Sequence, residues 1–226
     1  MTQDTALAPP RDEADLEERL SRPPAALGAM LAHTPGDLII LGAGGKMGPS
    51  LARMARRADP ARRVIAVSRW SNRAAADGLR ALGIEIAHAD LLDPRSLTSL
   101  PDAPNVVFMA GQKFGTASSP ATTWAMNAGV PAFISERYAG SRTVVFSTGN
   151  VYALTPHHNG GSREDDAPAP VGTASAIAQQ GAAIDLRSPM EREGALRCRS
   201  RRGGVARRPA ASPSPHLMRG STCKPR

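Results

Sequence analysis

The chain has few cysteines and few aromatic residues. Its 226 residues include two cysteines, Cys198 and Cys223, and 4% of its side chains are aromatic. Two cysteines close to the carboxyl end cannot form a disulfide framework. No run approaches the roughly 18 apolar residues that a membrane span requires. The acidic first 20 residues also lack the apolar core of a signal peptide. These absences predict a cytoplasmic protein without a membrane partner.

The basic charge is confined to one end of the chain. Residues 1–171 contain 17 basic and 17 acidic residues, so the net charge of +8 comes entirely from residues 172–226. This segment is rich in Arg, Pro, Ser and Gly and has few large apolar side chains, which predicts a disordered basic C-terminal tail. Because the tail also lacks aromatic residues on which bases could stack, we expect no nucleic acid partner.

The apolar pattern divides the rest of the chain into two parts. Residues 1–36 contain two short helical patterns, "DEADLEERL" and "AALGAMLAH", and are interpreted as an N-terminal helical extension. From residue 37 to residue 171, five apolar runs typical of buried strands alternate with helical patterns. This alternation predicts an α/β domain of the Rossmann type with a doubly wound parallel sheet.

A glycine-rich turn follows the first predicted strand and precedes a helix. In "LIILGAGGKMGPSLARMARRA", three glycines are spaced G-x-x-G-x-x-G. Glycines at such a junction allow a tight turn and a close approach of the backbone to a diphosphate, and the helix N-terminus offers free amides. The pattern therefore predicts a dinucleotide-binding turn. Its candidate cofactor contacts are Gly42, Gly44, Gly45, Lys46, Met47 and Gly48.

The end of the second predicted strand bears on the choice of dinucleotide. It reads "VSRWSN" and offers Ser68 and Arg69 but no carboxylate to bind a ribose 2′-hydroxyl. Arg69 could instead bind a 2′-phosphate through charge-assisted hydrogen bonds. The cofactor is therefore expected to be NAD(P), with NADP slightly favoured.

Five further stretches follow one another in a recognisable order. They are "HADLLD", "FMAGQKFG", "WAMNAG", "FSTGNVY" and "EDDAPAPVG". Together with the glycine turn, they resemble the extended short-chain dehydrogenase/reductase family, the NAD(P)-dependent epimerases and dehydratases. The resemblance implies transient hydride transfer on a sugar-nucleotide-like substrate or another hydroxy or keto compound.

The resemblance also implies roles for particular residues. Asp90 and Leu91 would contact the adenine, and Ala110 and Gly111 would lie against the cofactor, with Lys113 near its ribose. In the third and fourth stretches it implies a structural helix that carries Asn127, grouped here with the cofactor site, and a catalytic Thr148. His157 and His158 lack neighbouring ligands at metal spacing, so no metal site is expected.

Two other nucleotide-binding motifs share some features with the glycine turn. A P-loop is excluded because Ile40 occupies the position of its first glycine and Met47 replaces its Ser or Thr. The stretch "GAGGKMG" also resembles the first turn of dihydrodipicolinate reductases, which use NADPH. The later stretches "STGNVY" and "AGQKFG" do not suit that family, so it remains a more distant alternative.

The family's acid–base pair, Tyr-x-x-x-Lys, is missing from this sequence. The last tyrosine is Tyr152, and the only lysine after Lys113 is Lys224. Because the abrupt change in composition resembles an out-of-frame translation of a GC-rich gene, we hypothesise a truncation or frameshift after about residue 172. The chain would then be an enzyme impaired by loss of this pair or, alternatively, a catalytically inactive cofactor-binding fragment. A homodimer, which the resemblance suggests, is not favoured because one of its helices would be lost.

Overall fold

A computed structural model describes residues 8–112, 118–156, 158, 160–163 and 165–170. The predicted tail and the frameshift hypothesis lie outside the described residues, as does Lys113. The helices are α1 (Glu13–Leu20), α2 (Ala25–Ala32), α3 (Gly48–Ala58), α4 (Arg73–Arg80), α5 (Pro94–Thr98), α6 (Pro120–Trp124) and α7 (Val130–Arg137). The strands are β1 (Leu38–Leu41), β2 (Val64–Ser68), β3 (Glu85–His88), β4 (Asn105–Phe108) and β5 (Arg142–Val145).

The five strands form one parallel sheet in the order β3-β2-β1-β4-β5. Leu38 of β1 lies opposite Val64 of β2 on one side and Asn105 of β4 on the other. The strand order reverses between β1 and β4. This is the topological switch point, where doubly wound sheets bind their ligands at the carboxyl ends of the strands. The predicted fold class is confirmed.

Helices cover the sheet from both sides. All four residues of β1 are buried, and so are the first four residues of β2, which explains why these strands are continuous apolar runs. One core cluster lies on the face that packs against α5 and α7, and it includes Ile39 and Ile134. The other lies on the face of α3 and α4, and it includes Ile40 and Leu79.

The buried face of α3 is formed mainly by small residues. Its buried residues are Gly48, Ala52 and Ala55, and the partly buried Leu51 packs against the same core cluster. Small side chains occupy the contact with the sheet, which lets the helix approach the strands closely.

The long helix expected after the fourth strand is interrupted. Between α6 and α7, residues Ala125–Gly129 form a π-helical turn, in which the Val130 N–H donates to the Ala125 carbonyl. Pro131 follows in the first turn of α7, and it has no N–H to offer the Asn127 carbonyl four residues earlier. The wider turn therefore occurs where the regular hydrogen-bond ladder would lose a donor.

Two apolar side chains on the outer strand are exposed. Val144 and Phe146 point to the same face of the sheet as Val107 and Met109, because alternate residues of a strand share a face. Val144 is 58% exposed and Phe146 is 44% exposed. In the described ranges, no helix is long and apolar enough to cross a membrane.

Candidate functional site

The carboxyl edge of the sheet brings together the loops that carry most of the predicted site residues. The glycine turn follows β1, Ser68 ends β2, and Asp90 lies just beyond β3. Ala110 and Gly111 follow β4, and Thr148 follows β5. In a parallel sheet all strands end at the same edge, so these residues share one side of the molecule.

Gly42 makes the tight turn that leaves β1. Its φ angle is +91°, a conformation that side chains with a Cβ rarely adopt, and an added Cβ would lie 2.7 Å from the Ala110 nitrogen. The amides of Gly42 and Ala43 donate to the Val67 carbonyl at 3.0 and 2.9 Å. The turn is thus fixed to β2, and the loops after β1 and β4 are in direct contact at the switch point.

Gly45 and Gly48 occupy different environments. A Cβ on Gly48 would lie 2.1 Å from the Ala43 carbonyl oxygen, so only glycine lets α3 begin this close to the turn. A Cβ on Gly45 would meet the Gly42 oxygen at 3.4 Å, an ordinary contact, and would otherwise point into open space. Packing therefore explains Gly48 but does not explain Gly45.

The N-terminus of α3 is open to solvent. The residues from Gly44 to Met47 are exposed, and Met47, the N-cap residue, makes no side-chain capping bond. No acceptor among the described residues pairs with the amides of Gly44, Lys46 or Met47. Free amides and the positive end of a helix dipole together make an anion-binding position.

The end of β2 packs against the glycine turn. A Cβ on Gly44 would lie 2.3 Å from the Ser68 hydroxyl oxygen, so the turn packs directly on Ser68. Arg69 is exposed at the same edge. Trp70 is buried with a φ angle of +48°, and its indole N–H donates to the Ala87 carbonyl at 2.8 Å. The sequence analysis missed this tryptophan, whose ring lies 3.8 Å from the position that a Cβ on Gly44 would take.

Asp90 and Leu91 have structural contacts of their own. One carboxylate oxygen of Asp90 accepts a hydrogen bond from the Leu92 amide at 3.0 Å, and the Asp90 carbonyl accepts one from the Asp93 amide at 3.0 Å. The Leu91 side chain is buried in the core. A ligand at this edge could therefore meet the backbone of Leu91 but not its side chain.

Asn127 binds the backbone of the loop after β4. Its side-chain oxygen accepts from the Gln112 amide at 2.7 Å, and its side-chain nitrogen donates to the Gln112 carbonyl at 3.0 Å. The same oxygen lies 3.4 Å from the position that a Cβ on Gly111 would take. Asn127 thus fixes the shape of the loop, and its amide is already engaged in these contacts.

Thr148 lies just after β5 and begins a short 3₁₀ turn, Gly149–Val151. Its hydroxyl accepts a hydrogen bond from the Asn150 amide at 3.2 Å, and the residue is half-buried. Within the part of the chain that the structure describes, no acceptor binds the hydroxyl hydrogen, so the hydroxyl can donate to a ligand at the carboxyl edge. Across the described ranges, no three His, Cys, Asp or Glu residues come together as a possible metal site.

Several solved structures share this fold. MoeE5 in complex with UDP-glucose and NAD is 21% identical, with a TM-score of 0.56, over 66% of this chain and 48% of that chain. ADP-L-glycero-D-manno-heptose-6-epimerase from Helicobacter pylori is 16% identical, with a TM-score of 0.59, over 68% and 51%. UDP-glucuronic acid 4-epimerase from Bacillus cereus in complex with NAD is 18% identical, with a TM-score of 0.51, over 66% and 50%.

These similarities concern the fold. This chain spans about half the length of the solved structures that it matches. No protein-family model and no curated protein sequence matches it. The resemblance to the extended short-chain dehydrogenases/reductases, first seen in the motifs, is confirmed as a shared Rossmann-type fold.

Proposed function

We propose that this protein binds a nicotinamide adenine dinucleotide at the carboxyl edge of its sheet. The observation that carries the proposal is that the three glycines of the turn meet different structural requirements. Gly42 has a positive φ angle, and Gly48 permits the close start of α3, but Gly45 has no packing requirement. A close approach of a diphosphate to the backbone supplies the missing reason for a glycine at position 45.

The amides of Gly44, Lys46 and Met47 would bind the diphosphate, with the N-terminus of α3 contributing its partial positive charge. Lys46 lies in this segment and would add a positive charge. Ala110 and Gly111, which adjoin the turn, would lie against the cofactor, and Lys113 would lie near its ribose. Asp90 and the backbone of Leu91 would receive the adenine.

We further propose a preference for NADP over NAD. Arg69 is exposed beside the turn, next to Ser68, and its guanidinium can bind a 2′-phosphate through two parallel hydrogen bonds. Neither residue offers the carboxylate that would bind a free 2′-hydroxyl. Replacing Arg69 by Gln should therefore weaken binding of NADPH by about tenfold and leave binding of NADH nearly unchanged.

The lineage that we propose is that of the NAD(P)-dependent epimerases and dehydratases, with a sugar nucleotide as the substrate class. The similarity of this fold to MoeE5, which is in complex with UDP-glucose and NAD, supports this class. The cofactor would supply reversible hydride transfer, while the Thr148 hydroxyl would hydrogen-bond the reacting oxygen of the substrate. Since the sequence has no Tyr-x-x-x-Lys pair, we expect binding without efficient turnover.

Direct titration tests this proposal. The full chain is titrated with NADPH and with NADH, followed by the nicotinamide fluorescence, and is then assayed for oxidation, reduction and epimerisation of UDP-sugars. Arg80→Gln, a change at an exposed arginine of α4, is the matched control for Arg69→Gln. Saturable binding that is selective for NADPH supports the proposal. A folded protein that binds neither coenzyme at millimolar concentration would refute it, and turnover at the rates of complete relatives would refute the inactive state.

A further inference from the structure

We propose that Arg62 is a positioning residue for the glycine turn, acting through the N-terminal helices at the opposite edge of the sheet. The expected effect of Arg62 on nucleotide binding rests on the proposed function, whereas its effect on the position of α3 does not. Residues 8–36, called here the helical hairpin, contact α3, the helix that begins at the glycine turn.

Arg62 fixes the end of the hairpin. Its side chain is 4% exposed, and its guanidinium donates to the carbonyls of Leu31, Thr34 and Gly36 at 2.7, 2.7 and 2.9 Å. These carbonyls belong to the last turn of α2 and to the segment that follows it. The Asp59 carboxylate accepts a fourth hydrogen bond at 3.1 Å and balances the charge. One buried side chain thus binds the C-terminus of α2 to the connection between α3 and β2.

The hairpin in turn packs against α3. A Cβ on Gly28 of α2 would lie 3.4 Å from the Ala58 carbonyl oxygen, so α2 closely approaches the C-terminal end of α3. From α1, Glu18 forms an ion pair with Arg57, which also donates to the Glu18 carbonyl at 3.2 Å. The Arg57 guanidinium lowers the pKa of the Glu18 carboxyl, mainly through its hydrogen bond to that carboxylate. These contacts all lie at the C-terminal end of α3.

These contacts set the position of α3 along its axis. The helix has 11 residues and a length of about 16 Å, with its C-terminal end at the hairpin and its first residue, Gly48, against Ala43. Because a helix moves nearly as a rigid body, a displacement at Ala58 is transmitted to the amides that face the carboxyl edge. A shift of about 1 Å is enough to spoil a site that depends on pre-positioned groups.

Loss of Arg62 should leave the sheet folded, since other residues hold the start of β1. The side-chain nitrogen of Asn105 donates to the carbonyls of Pro35 and Asp37 at 3.1 Å each, and Arg142 donates to the Asn105 side-chain oxygen at 2.9 Å. Asn105 also donates to the carbonyls of Thr34 and Gly36, at 3.4 and 3.3 Å, so two of the acceptors of Arg62 keep a donor when Arg62 is replaced. A variant at Arg62 should therefore change the position of the hairpin while the sheet stays folded.

The test compares four full-length variants with the wild type. Arg62→Met removes the donors but keeps the apolar stem, and Arg62→Lys restores part of the bonding. Gly28→Leu separates α2 from α3 without touching Arg62. Arg80→Met, on the exposed face of α4, is the control for the arginine change. The readouts are hydrogen exchange of individual segments without ligand, thermal unfolding, and affinity for NADPH.

We expect Arg62→Met and Gly28→Leu to accelerate exchange by about tenfold in the hairpin and in the first turns of α3, but not in β1 or β4. Both should weaken NADPH binding by about fivefold. The NADPH affinity of Arg62→Lys should lie between that of these variants and that of the wild type, and Arg80→Met should bind NADPH as the wild type does. Normal exchange in α3 beside a loosened hairpin would overturn the proposal, and so would an equal increase in every segment. If the wild type binds no nucleotide, the proposed function fails, but the exchange pattern still decides the role of Arg62.

Discussion

Two alanine substitutions within one turn should differ in their effect on stability, and the one that leaves stability unchanged should still weaken binding. Gly48→Ala places a Cβ 2.1 Å from the Ala43 carbonyl oxygen, whereas Gly45→Ala places one 3.4 Å from the Gly42 oxygen. Carbon and oxygen in ordinary contact lie more than 3 Å apart, so the first substitution forces α3 away from the turn by about 1 Å. The second requires almost no adjustment of the protein.

The cost of Gly48→Ala follows from this overlap. Overpacking of a tight core position destabilises a protein by about 1–3 kcal/mol, and the colliding atom is backbone, which cannot rotate away. The better helix propensity of alanine returns up to about 1 kcal/mol in a helix interior, and less at the first position of a helix. We expect a net loss of about 2 kcal/mol, which lowers the melting temperature of a domain of this size by about 4–8 °C.

Gly45→Ala should melt within about 1 °C of the wild type, because a surface change without overlap alters stability by less than about 0.5 kcal/mol. Its methyl group would occupy the approach of the diphosphate, and NADPH binding should weaken by at least about tenfold. Thermal unfolding followed by circular dichroism and a fluorescence titration measure the two effects separately. Equal melting temperatures for the two variants would refute the packing argument, and unchanged NADPH affinity in Gly45→Ala would refute the assigned role of the turn.

Three further changes test other parts of the structure. Asn127→Ala removes both hydrogen bonds to the Gln112 backbone and should cost about 1–3 kcal/mol of unfolding free energy in urea, with faster hydrogen exchange in that loop. Burial raises the pKa of the Tyr138 phenol above its ordinary value of 10. The stability that the neutral phenol contributes is therefore complete below pH 10 and is lost as the pH rises through the raised pKa. In Tyr138→Phe, the free energy of unfolding should decline less at alkaline pH. Phe146→Thr should reduce aggregation, measured by light scattering, without lowering the melting temperature, whereas the same change at the isolated, 85% exposed Leu154 should not.

The sheet and the glycine turn could be predicted because both depend on short stretches of sequence. The run from Leu38 to Leu41 is apolar at every position, and only a strand buried on both faces requires this. The positive φ angle of Gly42 and the close start of α3 at Gly48 are backbone requirements that glycine alone meets. Each of these features is encoded in the residues that form it.

The features that were missed depend on residues far apart in the chain. Arg62 reads as a surface residue in "ARRV", and its role appears only when the carbonyls of α2, about 30 positions earlier, come within reach. The pairing of Asn127 with Gln112, 15 positions away, likewise exists only in the folded chain. Pro131 explains why the helix after β4 is interrupted, but sequence alone does not predict that the interruption is a π-helical turn.

Cofactor binding and catalysis depend on different parts of this chain. The proposed binding site relies on backbone amides and glycines between Gly42 and Gly111, and the described contacts that hold them, from Arg62 to Asn127, all lie before β5. The proposed chemistry begins at Thr148 and would require a Tyr-x-x-x-Lys pair, which the sequence does not contain. Since none of the contacts described above for the site before β5 involves a side chain beyond Thr148, loss of turnover need not weaken binding. The two properties should therefore be separable in one protein sample, with saturable coenzyme binding measured where no product accumulates.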